Sequence, residues 1–251
     1  MVQAIGFQAL AGEAKVRLVP QWPSTSLPPP TASLLSVANG KGLLAAAGPD
    51  SVVIATTDAV RQAFQGPGED KIKPLTPQLT LNLGMRISQL SFSANEEFLV
   101  LSAENGGGLA IYEVSALLQS KTQPAFEVAT NGTALRAMLP NPKSETAEYV
   151  AVVTVHGQLM VADLKSRQFV SGTNGQVLRE NVSTAAWSNK GKQIVAGLGN
   201  GACVQMTPDG QVKAEISVPG DLGSEHMGTL SNFHGMMRIK LRVHSLFIEL
   251  A

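Results

Sequence analysis

Ala186-Trp187-Ser188-Asn189-Lys190-Gly191-Lys192-Gln193-Ile194-Val195-Ala196-Gly197, followed by Gly201-Ala202-Cys203-Val204-Gln205, is the stretch that decides the fold. It has a short apolar strand, a tight polar turn, a second apolar strand and a glycine-marked turn into a third. Ser91-Phe92-Ser93-Ala94-Asn95-Glu96-Glu97-Phe98-Leu99-Val100-Leu101 repeats it, followed by Gly108-Leu109-Ala110-Ile111-Tyr112. Between these two lie Met138-Leu139-Pro140-Asn141-Pro142, Tyr149–Val153 and Gly157–Val161. The earliest copy is Ser36–Ala45, followed by Asp50–Ile54. With Val37, Phe92, Met138 and Trp187 taken as equivalent, the steps are 55, 46 and 49 positions. A period of roughly 40–50 residues with several short strands per unit is the signature of β-propeller blades. The expected fold is all-β, with about four blades in an open arc.

The rest of the chain falls around that repeat. Residues 1–32 read as an N-terminal strand, Lys15–Val19, and an arm holding Pro20, Pro23, Pro28, Pro29 and Pro30. Proline removes ladder donors and fixes φ, so this arm is expected outside any sheet. Residues 33–219 form the four blades. The middle strands, such as Phe98–Leu101, Tyr149–Val153 and Ile194–Ala196, are apolar throughout, as strands covered on both faces are. After the first repeat, Thr57–Phe64 suits a short helix capped by Thr57 or Asp58. Gln65–Gln78 is then a long charged loop with glycine and proline, and Ser115–Lys121 is a second helical connector. Residues 220–251 lack the pattern and read as an irregular tail outside it.

Composition excludes several functions. The 251 residues carry 19 basic and 19 acidic side chains. Nucleic-acid binders draw most of their affinity from a basic excess, so direct nucleic-acid binding is not expected. Cys203, the one cysteine, precludes an internal disulfide and a cysteine-rich zinc site; within an apolar strand it reads as a buried, inert thiol. The Met1–Gly6 start lacks a basic region and long apolar run, and no apolar stretch reaches ~18 residues. A soluble nucleocytoplasmic protein without a membrane span is expected.

Catalytic signals are weak throughout. Gly106-Gly107-Gly108 and Gly199-Asn200-Gly201 do not continue to the Lys-Ser/Thr of a phosphate loop, and both sit at inter-strand turns. His226 and His234 stand eight apart with no carboxylate in zincin register. His156 precedes a turn glycine, His244 is isolated, and no Gly-x-Ser-x-Gly elbow occurs. Asn131-Gly132-Thr133 and Asn181-Val182-Ser183 are chance glycosylation matches without a secretory start. No enzyme activity, cofactor, metal or small-molecule substrate is expected. Trp187 reads as a core anchor at the start of its blade, like Phe92.

The run Ala186–Gly197 with Asn200-Gly201, together with Ser33–Asn39 and Gly42-Leu43-Leu44-Ala45-Ala46, resembles a known family. That family is the N-terminal β-propeller of the large cytoplasmic-filament nucleoporin of fungi and animals. Lys15-Val16-Arg17-Leu18 and Gly66-Pro67-Gly68-Glu69-Asp70-Lys71-Ile72 match it in the same order, so the resemblance covers about residues 7–219. It implies a seven-bladed type of propeller, incomplete here, at the cytoplasmic face of the nuclear pore. It also implies a non-catalytic adaptor that docks the DEAD-box helicase of messenger RNA export, among other nuclear pore proteins. The helicase would use one surface for both the propeller and RNA. A generic WD40-like scaffold in another cytoplasmic or nuclear complex is the alternative.

If the helicase is the partner, Glu69, Asp70, Lys71 and Lys73 on the long loop are the candidate contacts. Helicase surfaces that bind RNA are basic, and Glu69 and Asp70 can mimic phosphates at the rim. An open arc also predicts association. In the family the strand matching Lys15–Val19 pairs within the last blade, so here it is expected to lack that partner. The outer face of the fourth blade, assigned to Ile194, Val195, Ala202 and Val204, is expected to lie bare.

Overall fold

In the computed structural model, which describes residues 16–65, 73–130, 132–172 and 175–216, the repeat becomes four antiparallel sheets of four strands. A two-residue strand, β1 (Val16–Arg17), precedes them. Blade one is β2 (Leu35–Ala38), β3 (Leu43–Ala47) and β4 (Ser51–Thr56), then α1 (Thr57–Gln65), β5 (Lys73–Pro74) and the outer strand β6 (Leu79–Asn82). Blade two is β7 (Ile87–Phe92), β8 (Phe98–Ala103), β9 (Leu109–Glu113), α2 (Val114–Leu118) and β10 (Phe126–Val128). Blade three is β11 (Leu135–Pro140), β12 (Tyr149–Thr154), β13 (Leu159–Asp163) and β14 (Gln168–Phe169). Blade four is β15 (Val182–Trp187), β16 (Ile194–Leu198), β17 (Cys203–Met206) and β18 (Val212–Ile216). Each sheet is an up-and-down meander, so each has a fourth, outer strand beyond the three that the repeat showed.

Strand register corrects one of the four equivalences. Val37, Phe92 and Trp187 oppose Leu44, Leu99 and Ile194, the matching positions of their blades. In blade three that place belongs to Pro140, opposite Val150, not to Met138. The next residue closes the turn the same way each time: Ser93 N–H to Phe98 O at 2.9 Å, Asn141 to Tyr149 at 3.0 Å, Ser188 to Gln193 at 2.8 Å. The steps become 55, 48 and 47 positions. The β11–β12 connection is longer than its counterparts and contains a 3₁₀ turn at Ser144–Thr146, which hid the register. Blades two, three and four also share a bulge in the innermost strand, at Ser88, Arg136 and Ser183. The Ser183 hydroxyl donates to Gly197 O at 2.9 Å, and Arg136 reaches forward to Val182 O at 2.5 Å. A bulge spares the extra residue from the ladder, and here it frees side chains to bind the next turn or the next blade.

The core lies between blades. Leu43, Ala45, Ala47 and Ile54 of blade one pack against Phe92, Leu99, Leu101 and Tyr112 of blade two. Val100 and Ile111 of blade two meet Val150, Val152 and Met160 of blade three, and Ala151, Val153 and Val161 meet Ile194, Ala196 and Val204 of blade four. Middle strands β8 and β12 are therefore buried between two neighbouring blades, and β3 is buried throughout, each large side chain contributing about 1.5–3 kcal/mol. Val37 holds the place of Phe92 and Trp187 but has no earlier blade, and is 41% exposed.

Blade four differs. The sequence reading put Ile194, Val195, Ala202 and Val204 on its outer face, but Ile194, Ala202 and Val204 are buried against blade three. Period-two alternation sends neighbours to opposite faces, so the open face carries Val195 with Thr184, Ala186, Gly197, Cys203, Gln205, Ala214 and Ile216. Cys203 is thus half-exposed rather than a buried thiol. Gln193 and Gln205 stand where Phe98 and Ile111, or Tyr149 and Val161, stand in blades two and three; Gln205 Nε2 donates to Gln193 Oε1 at 2.5 Å. The N-terminal strand is corrected as well: Val16–Arg17 is not unpaired but lies parallel to Lys73–Pro74 of β5. Residues 217–251 lie outside the described residues, as do His226, His234 and His244.

Candidate docking surface

Each blade's third strand ends beside the turn that joins its first two. The backbone shows it three times: Thr57 N–H to Gly42 O at 2.8 Å, Val114 to Glu97 at 2.9 Å, and Leu164 to Glu148 at 2.8 Å. These turns and the connections to the outer strands therefore share one rim of the arc, called here the turn rim. The connection leaving blade one on this rim is the long charged loop that the sequence singled out.

Its two anchors are well defined. At the outgoing end, α1 starts where Thr56 Oγ1 accepts from Ala59 N–H at 3.1 Å; the cap is Thr56, not Thr57 or Asp58. Asp58 instead pairs with Arg61 at 3.0 Å on the exposed face, a contact worth little in water. At the returning end, Lys73 and Pro74 pair with Val16 and Arg17, and Leu75 N–H donates to Arg17 O at 3.1 Å. Glu69, Asp70 and Lys71 lie outside the described residues; of the four predicted contacts only Lys73 is placed, by its backbone in β5. Two pinned ends let a loop present its charges from a rigid base.

The blades are clasped to each other along the same rim. Glu96, at φ 57°, accepts Gly40 N–H at 2.9 Å and Lys41 N–H at 2.8 Å, one on each carboxylate oxygen. Asn141 Nδ2 donates to Gly191 O at 2.7 Å, tying blade three to blade four. Trp187 bridges the same pair from inside, its indole N–H donating to Leu139 O at 2.7 Å. Sequence periodicity carried no signal for Glu96, because a turn acid reads as a solubilising charge until its partner blade is in place. On the opposite rim Arg86 holds the proline-rich arm: it donates to Ser26 Oγ at 2.7 Å, stacks on Trp22 at 4.8 Å and pairs with Glu104 at 3.4 Å.

His156 is exposed in the turn between β12 and β13. Among the described residues no three His, Cys, Asp or Glu side chains gather as a metal site, and no helix is long and apolar enough to cross a membrane. Burial pushes the Tyr149 phenol up, helped by Asp163, Glu148 and Asp209; burial likewise raises Tyr112, with Glu127 adding to it. Both remain neutral hydrogen-bonding groups at physiological pH.

Known proteins share this arrangement. The chain is 53% identical over 230 residues to Nucleoporin NUP159 of Chaetomium thermophilum, covering 91% of this chain and 15% of that protein. It is 28% identical over 210 residues to Nuclear pore complex protein Nup214 of Homo sapiens, covering 80% of this chain and 10% of that protein. The chain thus spans a small part of the length of the relatives it matches. Among solved structures, the N-terminal domain of Nup159 superposes with a TM-score of 0.57 at 17% identity, over 78% of this chain and 47% of that one. A complex of S. cerevisiae Dbp5 bound to Nup159, Gle1, IP6 and ADP gives 0.58 at 17% identity, over 78% and 47%. The family model described as NUP159/214 beta propeller matches residues 28–235. The chain belongs to the NUP159/214 β-propeller family, nucleoporin scaffolds rather than enzymes.

Proposed function

We propose that the chain is a docking module at the cytoplasmic face of the nuclear pore, offering its turn rim to the DEAD-box helicase of messenger RNA export. The observation that carries this is family membership combined with the solved complex in which a Nup159 protein is bound to Dbp5. The rim adds a physical reason: interblade clasps hold it rigid, so the loop from α1 to β5 can be offered at small entropic cost. Glu69, Asp70, Lys71 and Lys73 remain the proposed contacts, with the two acids meeting a basic helicase surface. In this reading residues 33–219 are the propeller arc, 1–32 its strand and arm, and 220–251 a tail. Action is through protein contacts, without direct nucleic-acid binding, membrane insertion or a small-molecule substrate.

The test is a pull-down from nuclear-envelope extract with the full chain as bait. Recovery of the export helicase, reduced when Glu69 and Asp70 are both replaced by Ala, supports the reading. Recovery of unrelated soluble complexes alone would favour a general scaffold and overturn it.

A further inference from the structure

We propose that the cleft between blades one and two on the turn rim binds an arginine-bearing, partly apolar segment of a protein partner. The cleft is open, about 420 Å³, and is lined by Lys41, Glu96, Glu97, Glu113, Phe98 and Leu118, among others. Its floor is apolar: Phe98 is half-buried, Val114 is buried, and Leu118 on α2 is 48% exposed. Its walls are unevenly charged, with three carboxylates to one ammonium. Glu96 is spoken for by Gly40 and Lys41, and one Glu97 oxygen accepts from Asn95 Nδ2 at 2.8 Å. None of the three carboxylates makes a salt bridge among the described residues. Glu97 and Glu113 are both exposed; Glu113 pairs with Phe98 across β8 and β9, and Glu97 precedes Phe98 in the chain.

Charge complementarity selects the occupant. Unneutralised acids over an aromatic and aliphatic floor repel an acidic peptide and leave a purely apolar one facing carboxylates. A guanidinium suits both parts: its fork pairs with carboxylates, and its planar face is weakly hydrated enough to lie on apolar and aromatic surface. A neighbouring leucine-sized side chain would cover Leu118. The shallow, open shape fits a segment of chain better than an enclosed small molecule. This surface is built from described residues only and does not depend on the loop at Glu69–Lys73, so it stands or falls apart from the helicase reading.

The probe is the peptide acetyl-Leu-Arg-Leu-Arg-Leu-amide, titrated into the isotope-labelled full chain and followed by amide chemical shifts. Shifts are expected to concentrate at Lys41, Glu97, Phe98 and Val114–Leu118. Replacing the arginines with citrulline, the neutral isostere, should weaken binding, as should Glu97→Gln with Glu113→Gln. The loss expected is roughly two- to thirtyfold, the combined effect of two exposed charge pairs. Both glutamates are exposed, so the double variant is expected to keep the native spectrum. Shifts spread evenly over the surface, or equal affinity for the citrulline peptide or the double variant, would overturn the assignment.

Discussion

Trp187 shows how a single residue joins sequence to architecture. The sequence marked it as a core anchor; it is the last residue of β15, and its indole fixes blade four to blade three through Leu139 O at 2.7 Å. Trp187→Phe keeps the ring's apolar contact but removes the N–H that bonds Leu139 O across the blades. A loss of about 1–2 kcal/mol in urea unfolding is expected. The phenols of Tyr112 and Tyr149 give a second residue-scale prediction. Both titrate above the ordinary phenol range in the folded chain. Between the unfolded and folded values, the native state holds protons that the unfolded chain has lost. Their contribution to stability is therefore complete below pH 10 and declines as pH rises through the folded values. Denaturation midpoints measured from pH 8 to 11 should fall on the alkaline side. The fall should shrink in Tyr149→Phe, whereas an unchanged alkaline limb would remove the burial effect from consideration.

At the scale of elements, the strands were legible where hydrophobic runs were continuous and obscure where geometry came from elsewhere. β8 and β12 were visible because a strand covered on both faces must be apolar throughout; Ile194–Ala196 of β16 reads the same way in sequence, yet β16 alternates between buried and half-buried residues. The outer strands β10 and β14 are two or three residues long and are fixed by pairing with β9 and β13, which a local pattern does not report. The face assignment in β16 failed because Ile194 and Val195 look alike in sequence, while alternation must send one inward and one outward. The Glu96 clasp escaped detection since its partners lie 55 and 56 residues away. Glu96→Gln leaves one acceptor for two N–H groups, and about 1 kcal/mol of stability should be lost. The corrected open face of blade four supports a further expectation. It presents Val195, Cys203 and Ile216, the last 69% exposed, beside the edge of β18, which pairs with no further strand among the described residues. Concentration-dependent association of the full chain is expected in sedimentation velocity, reduced by Val195→Lys with Ile216→Lys. Cys203 should react with maleimide faster in that variant than in the parent chain.

For the molecule as a whole, the repeat carried the architecture and the resemblance carried the role. Four blades and the three cores between them follow from a pattern of strands and turns read along the chain, whereas the clasps along the turn rim do not. The docking residues did not follow in the same way, because a loop advertises charge but not what it meets. Glu69, Asp70 and Lys71 are proposed on charge alone and lie between α1 and β5 in the chain. The central claim is that this arc docks the export helicase on a surface that also serves RNA. The most direct measurement is a binding titration of the purified full chain against that helicase, with and without single-stranded RNA. Saturable binding is expected, weakened by RNA, with the helicase's affinity for RNA reduced by the same factor when the chain is present. A cooperatively folded chain that fails to bind, or one that binds together with RNA without mutual weakening, would contradict it.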